Sequence, residues 1–518
     1  MTEAWLPADH GSDPERLRPR VSRGLAWTVI DLWGSQAINL AAFVILTRLL
    51  LPDQFGLVAL AAVFVAFAQL VVDQGLGDAL IQRAKVTRSH IDTAFWAAMA
   101  TGALLTVAGV TLAAPIAALL DEPELAPILQ VMSLTFVLAA MSSIQIALLR
   151  RELAFKRLAV RALVAAAAGG LVSVPMALAG AGAWALVGQQ VTSAIVSVVT
   201  LWRVSPWRPR FHASRAEFRE LFGFGANVVG SDALNFLGRN ADNMLIGVFL
   251  GTTALGFYAV GYRILEVTQR ILVNVARRIA FPAFARLQHD RDRMRRAYFR
   301  LTRATSAVIL PGYVGLALVA PELTTTLFGA RWAESGPVAA MLFLIGPVLT
   351  VQAFSGSLLN AAGHPEVVFR FRLITSVTNI VGFAIAVSYG ILAVAAAYVV
   401  RGYLLLPLIL VWMRRYADIP IADYLRQMHG TAAATFLMAA AVLGIKLAAS
   451  SVAPGLLLVL EIVGGSVVYL AALWIVQRAV IHEVVEVVRD AASGLRGRRA
   501  SASVAASTES ASVGLDDA

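Results

Sequence analysis

Runs of about twenty apolar residues recur along the whole chain, and that recurrence limits the possible folds more than any motif does. A hydrocarbon core about 30 Å thick is crossed by roughly 20 apolar residues in a helix. On that rule spans are expected near 24–47, 55–76, 92–118, 126–149, 160–180, 183–202, 224–249, 253–275, 304–328, 336–360, 372–388, 390–413, 430–449 and 454–477. The expected fold is all-α and integral to a membrane, with about fourteen transmembrane helices. Helices are the natural choice because lipid offers no partner to a free N–H or C=O. The residues are 58% hydrophobic and only 14% charged, against about 25% charged in a soluble domain.

The charges mark the sides of the membrane. Loops on one side carry Arg83, Lys85 and Arg88, then Arg150, Arg151, Lys156 and Arg157, then Arg203, Arg208, Arg210, Arg215 and Arg219. The opposite side shows Arg48, Arg331 and Lys446 beside acidic Asp121, Glu122 and Glu124. Positively charged loops stay in the cytoplasm, so both termini are expected there. The net charge of +11 is thus a topology signal, and nucleic acid is not an expected partner. Cysteine is absent, which excludes disulfides, thiolate metal sites and thiol nucleophiles. No cofactor or metal is expected.

The halves match at an offset of 200 residues. Leu50, Gly56 and Ala59 correspond to Leu250, Gly256 and Ala259, and Ala26 and Ala41 to Ala226 and Ala241. Six spans separate the copies, so the expected architecture is two parallel six-helix lobes plus two extra C-terminal helices. The domain reading is a tail at 1–23, an N-lobe at 24–202, a basic linker at 203–223, a C-lobe at 224–413, spans 13 and 14 within 430–477, and a largely disordered tail at 478–518. Within the C-lobe, 281–303 reads as an amphipathic surface helix whose arginines either hold anionic headgroups or only fix topology.

Ionisable residues within spans are costly and mark candidate sites. Asp232, Asn235, Arg239 and Asp242 recur on one face of span 7, and Asp31, Ser35 and Asn39 form a shorter stripe on span 1. Tyr258, Tyr262 and Glu266 share a face of span 8, Gln69 and Asp73 one of span 2, and Arg401 lies between Tyr398 and Tyr403 on span 12. Arg239, Asn235, Asn39, Arg401, Tyr258 and Tyr262 are the candidate cavity residues, since guanidinium pairs phosphate and amides and tyrosines suit sugars. Asp31, Asp232 and Asp242 are the candidate ion-coupling carboxylates. Two structural alternatives stand beside this. Arg239 and Asp242 would form a packing ion pair, and Glu266, Arg263 and Asp73 would snorkel or pair locally. Phosphate-loop, GxSxG and HExxH motifs are missing, and an enzyme is not expected.

GLAWTVIDLWGSQAINLAAFVILTRLLLPDQFGLVAL, DQGLGDALIQR, IALLRRELAFKRLAVR, NADNMLIGVFLGTTALGFYAVGYRI and LNAAGHPE together resemble the bacterial Wzx/WzxC-like polysaccharide flippases. These belong to the multidrug/oligosaccharidyl-lipid/polysaccharide exporter superfamily. The resemblance covers roughly 20–480 and implies alternating-access translocation of a lipid-linked oligosaccharide, usually on undecaprenyl pyrophosphate, across the bacterial cytoplasmic membrane. It also implies cavity-lining charges at Asp31, Arg239 and Asp242. Membrane lipids and the polymerase or export machinery of a polysaccharide pathway are the implied partners, and a monomer is expected. The competing readings are an ion-coupled exporter of the multidrug type and a non-transporting assembly scaffold.

Overall fold

A computed structural model of the chain describes residues 14–73, 76–83, 86–286, 290–449, 451–478, 480 and 483. The described residues are built on α-helices. In chain order these are α1 (Pro14–Leu49), α2 (Pro52–Asp73), a short α3 (Leu76–Gln82), α4 (Arg88–Leu119), α5 (Leu125–Arg151), α6 (Phe155–Leu178), α7 (Ala183–Val204) and α8 (Arg215–Arg286). They continue with α9 (Arg291–Phe328), α10 (Ser335–Phe343), α11 (Gly346–Ala361), α12 (Pro365–Ala386), α13 (Ile391–Ala417), α14 (Ile421–Ala448) and α15 (Pro454–Val476).

Among the described residues eleven helices are long and apolar enough to cross a membrane, or twelve if α10 and α11 form one span bent by 49°. The chain is therefore a multi-pass membrane protein, and this count of the described residues, which takes α8 as a single span, does not confirm the fourteen expected. The expected spans 224–249 and 253–275 both fall in α8, which breaks at Gly251 (φ 82°, ψ 175°), a conformation open essentially to glycine alone. The break between α10 and α11 has its own cause in Pro347, near the start of α11, which lacks an N–H and crowds the preceding turn. Helix α1 begins ten residues before the first expected span. The stretch 281–303 is divided rather than forming one surface helix, since 281–286 closes α8 and 291–303 runs unbroken into α9. The polar capping residue Asp290 accepts from Arg293 N at 2.9 Å, which starts α9 there. The C-terminal tail beyond 483 and most of the N-terminal tail lie outside the described residues.

The described chain divides into two compact units. The first holds the residues up to Leu50 and from Ala61 to Ala233, and the second holds Leu51–Leu60 and the residues from Leu234 onward.

In the first unit α4 packs on α5, α6 on α7, and α1 on α6. Small residues let backbones approach where lipid supplies no hydrophobic drive between helices. A Cβ at Gly102 of α4 would stand 2.9 Å from the Phe136 carbonyl oxygen of α5. The basic linker after α7 is a strap bound across the Arg88 end of α4. Trp207 is buried in an aromatic cluster with Phe95, Trp96 donates to Arg210 O at 2.7 Å, and Ser89 and Thr93 both donate to Glu217. Arg83 pairs Glu220 at 2.7 Å. That hydrogen bond holds the Glu220 carboxyl below the usual glutamate range.

In the second unit the segment 51–60 crosses α8 just after Gly251. A Cβ on Gly56 would lie 1.6 Å from Thr252 O, and one on Gly256 would lie 1.9 Å from Pro52 O. Both pairs, Gly56 with Gly256 and Pro52 with Thr252, are related by the offset of 200 found in the sequence. The contacts are reciprocal, each glycine meeting the carbonyl at the offset position of the other's partner. Helix α9 packs on α10, α14 and α15, and α12 packs on α13.

Candidate functional site

Helices α8, α11, α12 and α13 enclose a cavity of about 600 Å³ within the second unit, inside the usual range for ligand sites. Each wall is one helix face. Gly238, Arg239 and Asp242 come from the arm of α8 before Gly251, and Tyr262, Glu266, Gln269 and Arg270 from the arm after it. The break at Gly251 thus aims two stripes of one helix at a single space. Helix α11 adds Gln352 and Asn360, α12 adds Arg372, Thr375, Ser376 and Asn379, and α13 adds Tyr398 and Arg401. Gly238 permits this closure, since a Cβ there would be 2.5 Å from Ser376 Oγ, and Asn379 donates to Gly238 O at 3.0 Å.

Four arginines (Arg239, Arg270, Arg372 and Arg401) and two carboxylates (Asp242 and Glu266) line the cavity, an excess of two positive charges. Glu266 is held by Arg263 and Arg270, each at 2.7 Å, so the local pairing expected of it is present. Arg239, Arg372 and Arg401, from three different helices, have no ion-pair partner among the described residues. Arg401 lies over the Tyr398 ring, 5.1 Å from its centroid, with its Nε buried and unbonded. A cation stacked on an aromatic face keeps its N–H groups free to point elsewhere.

The structure brings together Arg239, Asp242, Tyr262 and Arg401 of the expected site. Asp242 does not pair with Arg239. It accepts from the Tyr258 hydroxyl at 2.7 Å and from Asn243 N at 2.8 Å, so the packing ion pair read from the sequence is not formed. Tyr258 is fully buried and stands behind the cavity as the donor that holds Asp242. Its helical phase matches Tyr262, with which it stacks, but one turn along the helix separates packing from lining. Asp232 and Asn235 lie outside the residues whose side chains are described, as does Asp73. Asp31 and Asn39 belong to α1 in the first unit, where Ser35 donates to Asp31 at 3.3 Å.

Sequence reading missed Arg270, Arg372, Gln352, Asn360 and Asn379 as lining residues. Val368, Arg372, Thr375, Ser376 and Asn379 recur at helical spacing on α12, and that spacing carries the signal. It also missed Arg161 of α6 in the first unit. Arg161 donates to Ser197 Oγ at 3.3 Å, and Asp31 is the acidic charge that acts on it.

Chemically the cavity is rich in donors, with guanidinium forks, side-chain amides and hydroxyls around a space large enough for one or two sugar-sized groups. Among the described residues no cluster of His, Asp and Glu has the arrangement of a metal site.

A family model described as polysaccharide biosynthesis protein matches residues 45–337. The chain is similar to the succinoglycan biosynthesis transport protein of Rhizobium meliloti, with 30% identity covering 71% of this chain and 74% of that one. It is also similar to a lipopolysaccharide biosynthesis protein of Escherichia coli, with 27% identity over 69% and 73% of the two chains. Among solved structures, a lipid II flippase in an inward closed conformation aligns over 88% of this chain and 100% of its own, with a TM-score of 0.70 at 14% identity. An inward-facing multidrug resistance transporter of the MATE family aligns over 75% and 98%, with a TM-score of 0.58 at 15% identity. At those identities the structural likeness concerns the fold.

Proposed function

The chain belongs to the polysaccharide biosynthesis protein family of the multidrug/oligosaccharidyl-lipid/polysaccharide exporter superfamily, and from that premise we propose that it is a flippase for a lipid-linked oligosaccharide. It moves the glycan of such a lipid across the bacterial cytoplasmic membrane for polysaccharide biosynthesis, with both termini in the cytoplasm, and catalyses no chemical step. The observation that carries this reading is the donor-rich, net-positive cavity of the second unit. Each sugar hydroxyl buried without a partner costs several kcal/mol by transfer measures. Amides, hydroxyls and guanidinium groups along the path remove most of that cost while the lipid tail stays in the bilayer.

Arg239, Arg372 and Arg401 are assigned to anionic groups of the substrate, on either its phosphate or its sugars. Tyr262 and Tyr398 offer ring faces to sugar carbons, and Gln352, Asn360 and Asn379 offer bonds to hydroxyls. Asp242, held by Tyr258, is the coupling candidate of this cavity, and Asp31 with Arg161 is its counterpart in the first unit. The excess positive charge disfavours the cationic compounds that a multidrug-type exporter would carry.

The test uses proteoliposomes containing the full-length protein and an undecaprenyl-pyrophosphate-linked oligosaccharide. Access of a membrane-impermeant glycan oxidant to the sugars is followed with time. Protein-dependent loss of the protected fraction is the expected result. A protected fraction that stays at its starting value, with organic cations moving instead, would transfer the assignment to the exporter class.

A further inference from the structure

Outside the repeat, α14 and α15 pack on each other and on α9, and this three-helix layer contains a carboxyl that the cavity does not use. Glu461 of α15 has no exposed surface, and neither of its oxygens has a hydrogen-bond partner. Its level in the layer follows from its neighbours. Gly455 faces Thr326 of α9, Gly464 and Gly465 face Ile445 and Val442 of α14, and Tyr469 donates to Ala307 O of α9. Glu461 therefore lies level with the last turns of α9 and α14, about two turns in from Pro454. The charges that act on it there are Glu322 and Lys446.

Those two already satisfy each other. Lys446 Nζ sits 2.8 and 3.0 Å from the two oxygens of Glu322 and donates to Leu318 O at 3.1 Å. Glu322 is the only charged residue in 304–328, Lys446 the only one in 430–448, and Glu461 the only one in 454–476. Two carboxyls thus share one ammonium in a low-dielectric layer. The group of three is neutral only if one carboxyl keeps a proton, and the ammonium has chosen Glu322. A second bare carboxylate, buried and without a donor, would carry the full desolvation penalty.

We propose that Glu461 is a proton-binding site: it holds a proton in this state, and on losing it competes with Glu322 for Lys446. The Lys446 side chain is 32% exposed, so the group of three is not sealed on every side. Loss of the proton puts two carboxylates on one ammonium, so protonation of Glu461 is linked to the packing of α14 and α15 on α9. This inference does not depend on what the cavity carries.

The experiment treats the full-length protein in lipid nanodiscs with dicyclohexylcarbodiimide and maps adducts by peptide mass spectrometry. The reagent takes the carboxyl proton onto nitrogen while the carboxyl oxygen adds to its central carbon, and rearrangement leaves a stable acylurea with no leaving group. A protonated carboxyl is therefore the reactive form, and because Glu461 has no exposed surface the small apolar reagent reaches it only as α14 and α15 part from α9, so labelling is followed as a rate. The expected result is an adduct on Glu461 and none on Glu322, falling ~10-fold per pH unit once the pH exceeds that at which Glu461 gives up its proton. Glu461→Gln abolishes the adduct, and Lys446→Met makes Glu322 reactive as well, because its ammonium is gone. Labelling of Glu461 that does not change with pH, labelling of Glu322 in the wild type, or a Glu461 that stays unlabelled in a Lys446→Met variant whose Glu322 is labelled would each overturn the assignment.

Discussion

Replacing Gly56 by alanine adds a single methyl group, and the geometry of the α2–α8 crossing fixes what that methyl meets. It would stand 1.6 Å from the carbonyl oxygen of Thr252, where carbon in contact normally sits about 3.5 Å away. The obstacle is backbone, so no rotamer change relieves it, and the two chains must separate by about 2 Å. Separation loosens the Phe55–Trp332 ring contact at 5.2 Å and the seat of Leu60 on Gly247. Overpacking of this kind costs ~1–3 kcal/mol, a factor of roughly 5 to 150 in the folding equilibrium. Thermal melting of the detergent-purified protein should show both Gly56→Ala and Gly256→Ala below the wild type. The double variant should cost less than the sum, because one separation accommodates both methyls. Gly444→Ala is the control, since nothing lies within 4 Å of its added methyl, and it should hold or raise the melting point. Wild-type melting by Gly56→Ala would refute the close crossing and, with it, the reciprocal contact between repeats.

Tyr258→Phe removes the side-chain donor from Asp242 and leaves a buried carboxylate with backbone donors only, a loss of ~1–3 kcal/mol. The same change in an Asp242→Asn background should cost clearly less, and equal costs in a thermal double-mutant cycle would show that the 2.7 Å bond is not what holds Asp242. The Glu220 carboxyl is held below its ordinary range by Arg83, so its contribution to anchoring the strap is present above the unfolded glutamate value and is lost as pH falls through the lower, folded one. Proteolysis within 205–214 should therefore rise on acidification in the wild type. It should be already high and less pH-dependent in Arg83→Ala, and an identical pH profile in both would sink this reading.

The helical membrane fold was legible because apolar run length is a direct response to bilayer thickness. The repeat was legible at Gly56 and Gly256 for a related reason, since only glycine tolerates a backbone crossing this close. Breaks inside apolar stretches were harder to read. Gly251 falls in the gap left between the expected spans 224–249 and 253–275, but the break before Pro347 lies inside the expected span 336–360, where the helix is interrupted and the hydrophobicity is not. At the site, Arg239, Asp242, Tyr262 and Arg401 stood out as polar residues deep within spans. Arg270 and Arg372 did not, because an arginine near the end of a span looks the same whether it turns to the headgroups or into a cavity. Tyr258 shows the converse limit. Helical phase placed it on the face of Tyr262, but phase does not tell which tyrosine meets the open space and which is covered by Asp242.

The proposed function requires that substrate pass through the cavity of the second unit and meet its unpaired arginines. The most direct measurement is the initial rate of lipid-linked oligosaccharide translocation in proteoliposomes, comparing Arg239→Gln and Arg401→Gln with wild type at equal reconstituted protein. A charge-assisted bond is worth ~1.5–3 kcal/mol, so each variant should lose about 10- to 150-fold at subsaturating substrate. Arg401→Lys should fall between the two, since it keeps the charge but not the fork or the stacking on Tyr398. Rates within twofold of wild type in both glutamine variants, in a preparation that translocates, would contradict the account and send the substrate path elsewhere in the protein.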